Sequence, residues 1–377
     1  MTERERLLAT LRYQPVDRAP DYEFGAWQQT IDRWHGEGMP DRLTDLWGAI
    51  PEHFHTDDSG PRPHLAINIG LCPGFEYAVL EEKGDHIVVQ DGDGAIAEMI
   101  RPELGASIPH YLRHTLETRA DWEKIRDEKL NPDTAERIPD DLEARCEKTF
   151  AAEHPVQVHC GSVYGWVRNW MGVENISFAI AEDTPWVAEM MRHLTDLKLT
   201  LFEKLAGKCR IDLGTWWEDM CFNMGPLVSP RWFEQYMVPE YRRVTEFLRR
   251  ECGCEFHMLD CDGNIHALVP GWLEARVNVM WPLEAAHTDA YRIREEFGSR
   301  VALRGYFDKR ALIAGKEAIE REFDRLQPLL EGGGFIPHTD HLVPPDVSWE
   351  NYQYYRARKC AFIGKEPGRQ GDDLTGV

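Results

Sequence analysis

Nowhere in the chain does a run of roughly 18 uncharged apolar residues occur, so no segment has the length needed to cross a bilayer as a helix. The opening stretch, MTERERLLATLRYQP, is charged and lacks the apolar core of a secretory leader, so a cytoplasmic location is expected. Positive charge is also scarce. Lys plus Arg total 43 against 65 for Asp plus Glu, a formal charge of −22. A surface of that sign repels phosphate backbones and anionic lipid, which argues against nucleic acid and membranes as partners. The nine cysteines are an odd number with no repeated spacing, in a chain too long to need covalent staples. The lone pair Cys252-Gly253-Cys254 reads as packed thiols. Internal repeats and low-complexity segments are absent, so no sharp boundary can be drawn and residues 1–377 are read as a single domain.

What the sequence does have is alternation. From about residue 154 onward, short β-rich runs alternate with longer segments of helical period, the signature of βα units around a parallel sheet. The strand-like runs are His154 to His159, Arg210 to Trp216, Cys254 to Leu259, Arg276 to Trp281, Val301 to Phe307 and Phe335 to His338. Ala19 to Phe24 offers one more. Between them, Asp183-Thr184-Pro185 opens a helix with a capping residue and an early proline, and Ser229-Pro230 opens another that Pro239 should kink. A long helix is expected from Asp308 to the Gly332-Gly333-Gly334 punctuation. The economical solution is an α/β fold, a TIM (β/α)8 barrel with an N-terminal extension. Residues 84–100 read differently, as an inserted hairpin turning on Asp91-Gly92-Asp93-Gly94. Residues 120–150 are charged with little apolar period and read as solvated helix and loop.

A barrel of this kind gathers reactive groups at the carboxyl ends of its strands. Glu218 and Asp219 follow an apolar run ending in Trp216 and Trp217, and Glu284 ends another strand. All three are candidate catalytic carboxylates, against the plainer reading of ion pairs or helix caps. Arg168, Trp217 and Asp340 are candidate substrate-binding residues, with tryptophan more often a packing residue than a pocket wall. His257, Leu259 and Cys261 share strand parity, so the imidazole and the thiol should point to one face while Asp260 points away. That face is expected to be the barrel axis. Cys252 and Cys254 carry no such expectation.

Several stretches together resemble the uroporphyrinogen decarboxylase superfamily. Arg4 to Leu11 followed by Val16-Asp17-Arg18-Ala19-Pro20 resembles its N-terminal helix and first strand. Gly161 to Gly172 resembles the segment after an early barrel strand. Trp217-Glu218-Asp219-Met220 with Gly225-Pro226-Leu227-Val228-Ser229-Pro230 resembles the acidic strand end and helix start, and Pro344-Pro345-Asp346-Val347-Ser348 resembles the C-terminal signature. Two departures narrow the resemblance. The R-Q-A-G-R loop that binds substrate carboxylates in the true decarboxylases is replaced here by Tyr22-Glu23-Phe24-Gly25-Ala26-Trp27-Gln28-Gln29. The H-x-C motif of the zinc methyltransferase branch is stretched to His257…Cys261, with His341 where that branch has a late cysteine.

The resemblance implies an enzyme of the methyltransferase side of the superfamily. It would move a methyl group between a small-molecule donor or acceptor and a corrinoid protein, a thiol or tetrahydrofolate. His257, Cys261 and His341 are the implied metal ligands, two imidazoles and a thiolate suited to zinc with an open fourth position. A corrinoid would have to arrive on a separate partner protein, because no D-x-H-x-x-G motif occurs in this chain. A homodimer is expected from the same resemblance. Two alternatives remain open: a metal-independent lyase that decarboxylates a small acid, with Arg168 holding a carboxylate, and a non-catalytic binder of a corrinoid or tetrapyrrole.

Overall fold

The computed structural model describes residues 1–44, 49–57, 64–101 and 109–366. Within it the chain packs as two compact units, each assembled from segments distant in sequence. The central unit comprises residues 63–152 and 156–278, and the flanking unit comprises residues 1–62, 153–155 and 279–377. Among the described residues no helix is long and apolar enough to cross a membrane.

The central unit begins with four antiparallel strands in sequential order: β1 (Ala78–Lys83), β2 (His86–Gln90), β3 (Ile96–Ile100) and β4 (His110–Arg113). The expected hairpin over 84–100 is thus the inner pair of a larger sheet. Its turn forms because the Asp91 carboxylate accepts the N–H groups of Asp93 and Ala95 while Gly94 takes a positive φ. Three parallel strands follow, β5 (Gln157–His159), β6 (Leu213–Trp217) and, after the two-residue strands β7 (Cys221–Phe222) and β8 (Gly225–Pro226), β9 (Phe256–Asp260). The helices Thr184–Phe202 and Val238–Cys252 pack against each other in the same unit. The kink expected at Pro239 is a break: one helix ends at Tyr236 and the next begins at Val238.

In the flanking unit, β10 (Val279–Leu283), β11 (Ala302–Phe307) and β12 (Phe335–Thr339) pair in parallel. All six strand-like runs of the C-terminal two thirds are therefore strands. Two other expectations are corrected. Ala19 to Phe24 forms no strand, and only a single bridge joins Ala26 to Val343. Residues 120–150 form helix and loop as expected: Arg119–Lys129 and Leu142–Phe150 are largely exposed and bury Trp122, Ile125, Leu142 and Cys146. The long helix expected from Asp308 is also divided, at Gly315 with φ 100°, into Lys309–Ala314 and Lys316–Glu331.

Ala19 to Phe24 is held by charge where strand pairing is missing. Arg356, on the C-terminal helix Trp349–Ile363, grips Asp21 through two parallel bonds of 2.9 Å and also reaches Glu23. Lys359 on the next turn donates to Glu23 at 2.7 Å, and Lys365 donates to Asp21 at 2.6 Å. Burial alone would raise the Asp21 pKa, but Arg356 and Lys359 outweigh it and hold the carboxyl well below its ordinary range. Arg356→Met is expected to cost about 3–5 kcal/mol in urea unfolding, because two buried carboxylates lose their main cation. Removing the exposed partner of Glu296, in Arg292→Ala, should cost under about 1 kcal/mol. The Asp21 contribution is present above the unfolded pKa near 3.9 and should disappear as pH falls through the depressed folded value.

Candidate functional site

Registers across the central unit define two faces. His159, Thr215 and Met258 are aligned on one, with Trp217 opposite Asp260. Solvent reaches His159, Thr215, Trp217 and Asp260 on this side. Val158, Gly214, His257, Trp216 and Leu259 align on the other and are buried. That second face is covered by helices: the Trp216 ring meets Tyr241 of Val238–Cys252 edge-on at 5.0 Å, and Lys198 of Thr184–Phe202 lies 5.4 Å over it.

His257 and Cys261 therefore keep the shared parity read from the sequence but turn toward the helices, a correction of the expected direction. Parity fixes which residues point together and says nothing about which side is covered. The His257 ring fits because its register partner is Gly214: a Cβ there would stand 2.3 Å from the imidazole Nδ1. Trp216 donates its indole N–H to that Nδ1 at 3.3 Å, and burial pushes the His257 pKa down to about 3, so the ring is neutral. Its Nε2 is buried without a hydrogen-bond partner. Cys261 accepts the Met220 N–H at 3.4 Å, and burial, then Cys221, raises its thiol well above the ordinary value.

Glu218 also turns inward. Its side chain accepts the Ser162 hydroxyl at 2.9 Å and the N–H groups of Val163, Tyr164 and Gly165 at 2.6, 2.9 and 2.9 Å. The carboxylate thus satisfies the orphan donors that open the helix Gly165–Met171. Gly165 permits the approach, since a Cβ would stand 2.6 Å from the Glu218 carbonyl oxygen. Behind it, Lys198 donates to the Ser162 carbonyl, and burial pushes this lysine down to about 8 against the pull of Glu218. Glu218 is fully buried and serves as a structural anion.

The next residue goes the other way. Asp219 adopts φ 42°, which reverses the chain at the end of β6 and sends its carboxylate to Arg168 at 2.9 Å. Arg168 also donates to the Asp219 carbonyl at 2.7 Å and lies 5.4 Å over the Trp217 ring. Three residues singled out in sequence, Arg168, Trp217 and Asp219, are brought together here. His159, absent from those candidates, stands on the same open face with Nδ1 3.4 Å from the Thr215 hydroxyl. Partial desolvation and then Lys198 lower its pKa.

In the flanking unit Trp281 and Arg304 lie within β10 and β11, with His338, Glu284 and Asp340 at or just past the carboxyl ends of β12 and β10. Trp281 and Arg304 both donate to His338 Nε2, at 3.1 and 3.0 Å. Two donors at one nitrogen fix the tautomer, so Nδ1–H donates to the Thr339 carbonyl at 2.6 Å. Burial first, then Arg304 and Lys359, hold the His338 pKa well below its ordinary value. Phe24 stacks on Trp281 at 4.8 Å and on His341 at 5.0 Å, and Trp27 lies 6.3 Å from His341. Arg304 lies over the rings of Tyr22 and Trp281 at 4.9 and 5.1 Å. Asp340 and Glu284 share one lysine: Asp340 accepts the Lys309 N–H at 3.0 Å, and Glu284 faces the Lys309 ammonium at 3.4 Å. Burial pushes the Asp340 carboxyl up to about 6 despite Lys309 and two backbone donors.

The implied zinc set does not fit this arrangement. Four residues of strand separate His257 from Cys261 by about 13 Å, too far for one ion to touch both. Among the described residues no group of three or more His, Cys, Asp or Glu side chains is placed to hold a metal. Arg304 and Phe24 were not among the candidates, whereas His338 ends the last expected strand, where reactive groups gather. One signal existed: Arg304 is a lone charge inside the apolar run Val301 to Phe307.

Comparison with known proteins gives four likenesses. The family model described as uroporphyrinogen decarboxylase (URO-D) matches residues 103–357. A uroporphyrinogen decarboxylase of Geobacter sulfurreducens is 25% identical over 248 residues, 63% of this chain and 68% of that protein. One from Vesicomyosocius okutanii is 34% identical over 76 residues, 20% of this chain and 21% of that protein. In fold, a methyltransferase from Methanosarcina mazei is similar with a TM-score of 0.59 at 14% identity, covering 96% of this chain and 99% of its own.

The buried lysine makes a signed prediction. With Lys198 lowered from 10.5 to about 8, the unfolded chain binds more protons than the folded one between those values. Stability should therefore rise with pH across that window, by up to about 1.4 kcal/mol per pH unit. Urea unfolding of wild type against Lys198→Met should show this slope only in the wild type. Equal slopes would place Lys198 outside the buried pair with Glu218.

Proposed function

The chain belongs to the uroporphyrinogen decarboxylase family, whose α/β TIM-barrel fold it shares, and from that premise we propose a methyl-transfer enzyme acting on a small substrate. The observation that carries the reading is the aromatic surface of Phe24, Trp27 and Trp281 with the His341 ring. It is built on the Tyr22 to Gln29 segment, where the decarboxylases of the resemblance carry carboxylate-binding arginines. Flat rings favour an ether, an amine or another group of low negative charge, and offer little to a porphyrinogen bearing many carboxylates.

In this reading Phe24, Trp27, Trp281 and His341 hold the substrate by contact with its apolar surface. His338 is a positioning residue: by accepting from Trp281 and Arg304 at one nitrogen it fixes the indole and the guanidinium beside each other. Glu284, paired with Lys309 and reached by solvent, is assigned the handling of a proton at its strand end. Asp219 takes the corresponding assignment in the central unit, where Arg168 and Trp217 form a second binding surface. Breaking a methyl C–O or C–N bond would leave an alkoxide or an amide anion, and the proton delivered there makes the leaving group a neutral alcohol or amine. A corrinoid carried by a partner protein would supply the centre that exchanges the methyl group.

Arg304 favours a second reading, because a guanidinium fixed over two rings suits a substrate carboxylate. That reading is decarboxylation of a small acid. The test sets both in one experiment, with a panel of methyl ethers, methylamines and small carboxylic acids, reading methylation of a supplied corrinoid protein and release of carbon dioxide. Methyl transfer is expected, with Trp281→Ala lowering kcat/KM about 10- to 100-fold, the loss of one aromatic contact face. The circular dichroism of the variant should match wild type. Carbon dioxide release without methyl transfer would replace the first reading with the second.

A further inference from the structure

We propose that Cys209 and Cys252 form a reversible disulfide, a redox-responsive tie in the central unit at the end of the strands opposite the candidate site. Cys209 precedes β6 and Cys252 ends the helix Val238–Cys252, so both lie before the strands' amino ends. Their sulfurs are 3.9 Å apart, with the Cys209 S–H directed at Cys252. Both thiols also face the Leu205 carbonyl, at 3.7 and 3.8 Å, so the two side chains converge on one point.

The backbone around them is already tied. The Gly207 N–H donates to the Glu251 carbonyl at 3.0 Å and the Ile211 N–H to the Cys252 carbonyl at 3.0 Å. These bonds flank Cys209 on both sides and hold the two chain segments next to each other. Forming the bond brings the sulfurs from 3.9 Å to a bond length of about 2.05 Å. Hydrogen bonding from Cys209 lowers the Cys252 pKa, which makes Cys252 the nucleophile of the pair. Cys146 is a third thiol in the same neighbourhood.

The oxidant is hydrogen peroxide. The Cys252 thiolate attacks its terminal oxygen, the O–O bond breaks, and Cys252 becomes a sulfenic acid while one hydroxide leaves. Cys209 sulfur then attacks the Cys252 sulfur, the S–O bond breaks, and a second hydroxide leaves. With the two thiol protons the sum is two thiols plus hydrogen peroxide giving one disulfide and two waters. The bond closes a loop of 43 residues that contains β6 with Trp217, Glu218 and Asp219, and it acts by restricting the unfolded chain.

The native protein is treated with hydrogen peroxide, alkylated in denaturant and mapped by mass spectrometry without reduction. A peptide joining Cys209 to Cys252 is expected, released by dithiothreitol, with a rise of about 3–5 °C in Tm for the oxidised form. Cys146→Ser should keep the cross-link, and Cys209→Ser and Cys252→Ser should each lose both it and the Tm rise. If a serine variant does not fold, the wild-type peptide map alone decides. Recovery of Cys209 and Cys252 as thiols or sulfinic acids while Cys360 oxidises, or a cross-link that runs only through Cys146, overturns the proposal.

Discussion

One buried carboxylate organises the central unit. Glu218 leaves the end of β6 and meets the hydroxyl and three backbone N–H groups of Ser162 to Gly165, with the Lys198 ammonium behind them. A charge so placed would be costly without its donors, and the donors would be unsatisfied without the charge. Their mutual requirement fixes the end of one strand against the start of a helix. Arg168 lies one turn into that helix, so the same contact brings its guanidinium within reach of Asp219 and over Trp217. The solvent-reached patch is thus a consequence of a group that solvent never touches.

This division between adjacent carboxylates is also where sequence reading ended. The alternation of β-rich and helical runs disclosed all six parallel strands, with carboxyl ends correct to within two residues. Several starts came up to three residues late, because the lead-in chain is extended but bonded otherwise, as where Asp212 accepts the Val156 N–H through its side chain. Period two told that His257 and Cys261 point together. It could not tell that helices cover that side, since the face of a sheet is decided by what packs on it. Nor could it separate Glu218 from Asp219, whose directions depend on a positive φ at the second and on donors more than fifty residues away.

The flanking unit shows the same limit in another form. Phe24 ends the expected strand Ala19 to Phe24, which is an irregular loop held by Asp21 and Glu23 against Arg356 and Lys359, and Trp27 follows at the start of the helix Gln28–Gly36. Nothing local in Tyr22 to Gln29 announces a stack on Trp281 and His341, because the partners lie more than 250 residues on. What was legible was an absence, the missing arginines of the resemblance, and it pointed to a change of substrate before the rings that replace them could be seen. Arg304 was hidden by a different cause. It sits within an apolar strand, where a polar side chain reads as an interruption until its partner is known.

The glycine beneath the His257 ring has a consequence for descent. Imidazole and missing methyl occupy one volume, so neither position can drift alone: a larger residue at 214 evicts the ring, and a smaller one at 257 opens a void under the helices. Among relatives the two sites should change as a pair, and a lineage that trades His257 for a short side chain is the one in which Gly214 becomes free to acquire a side chain of its own.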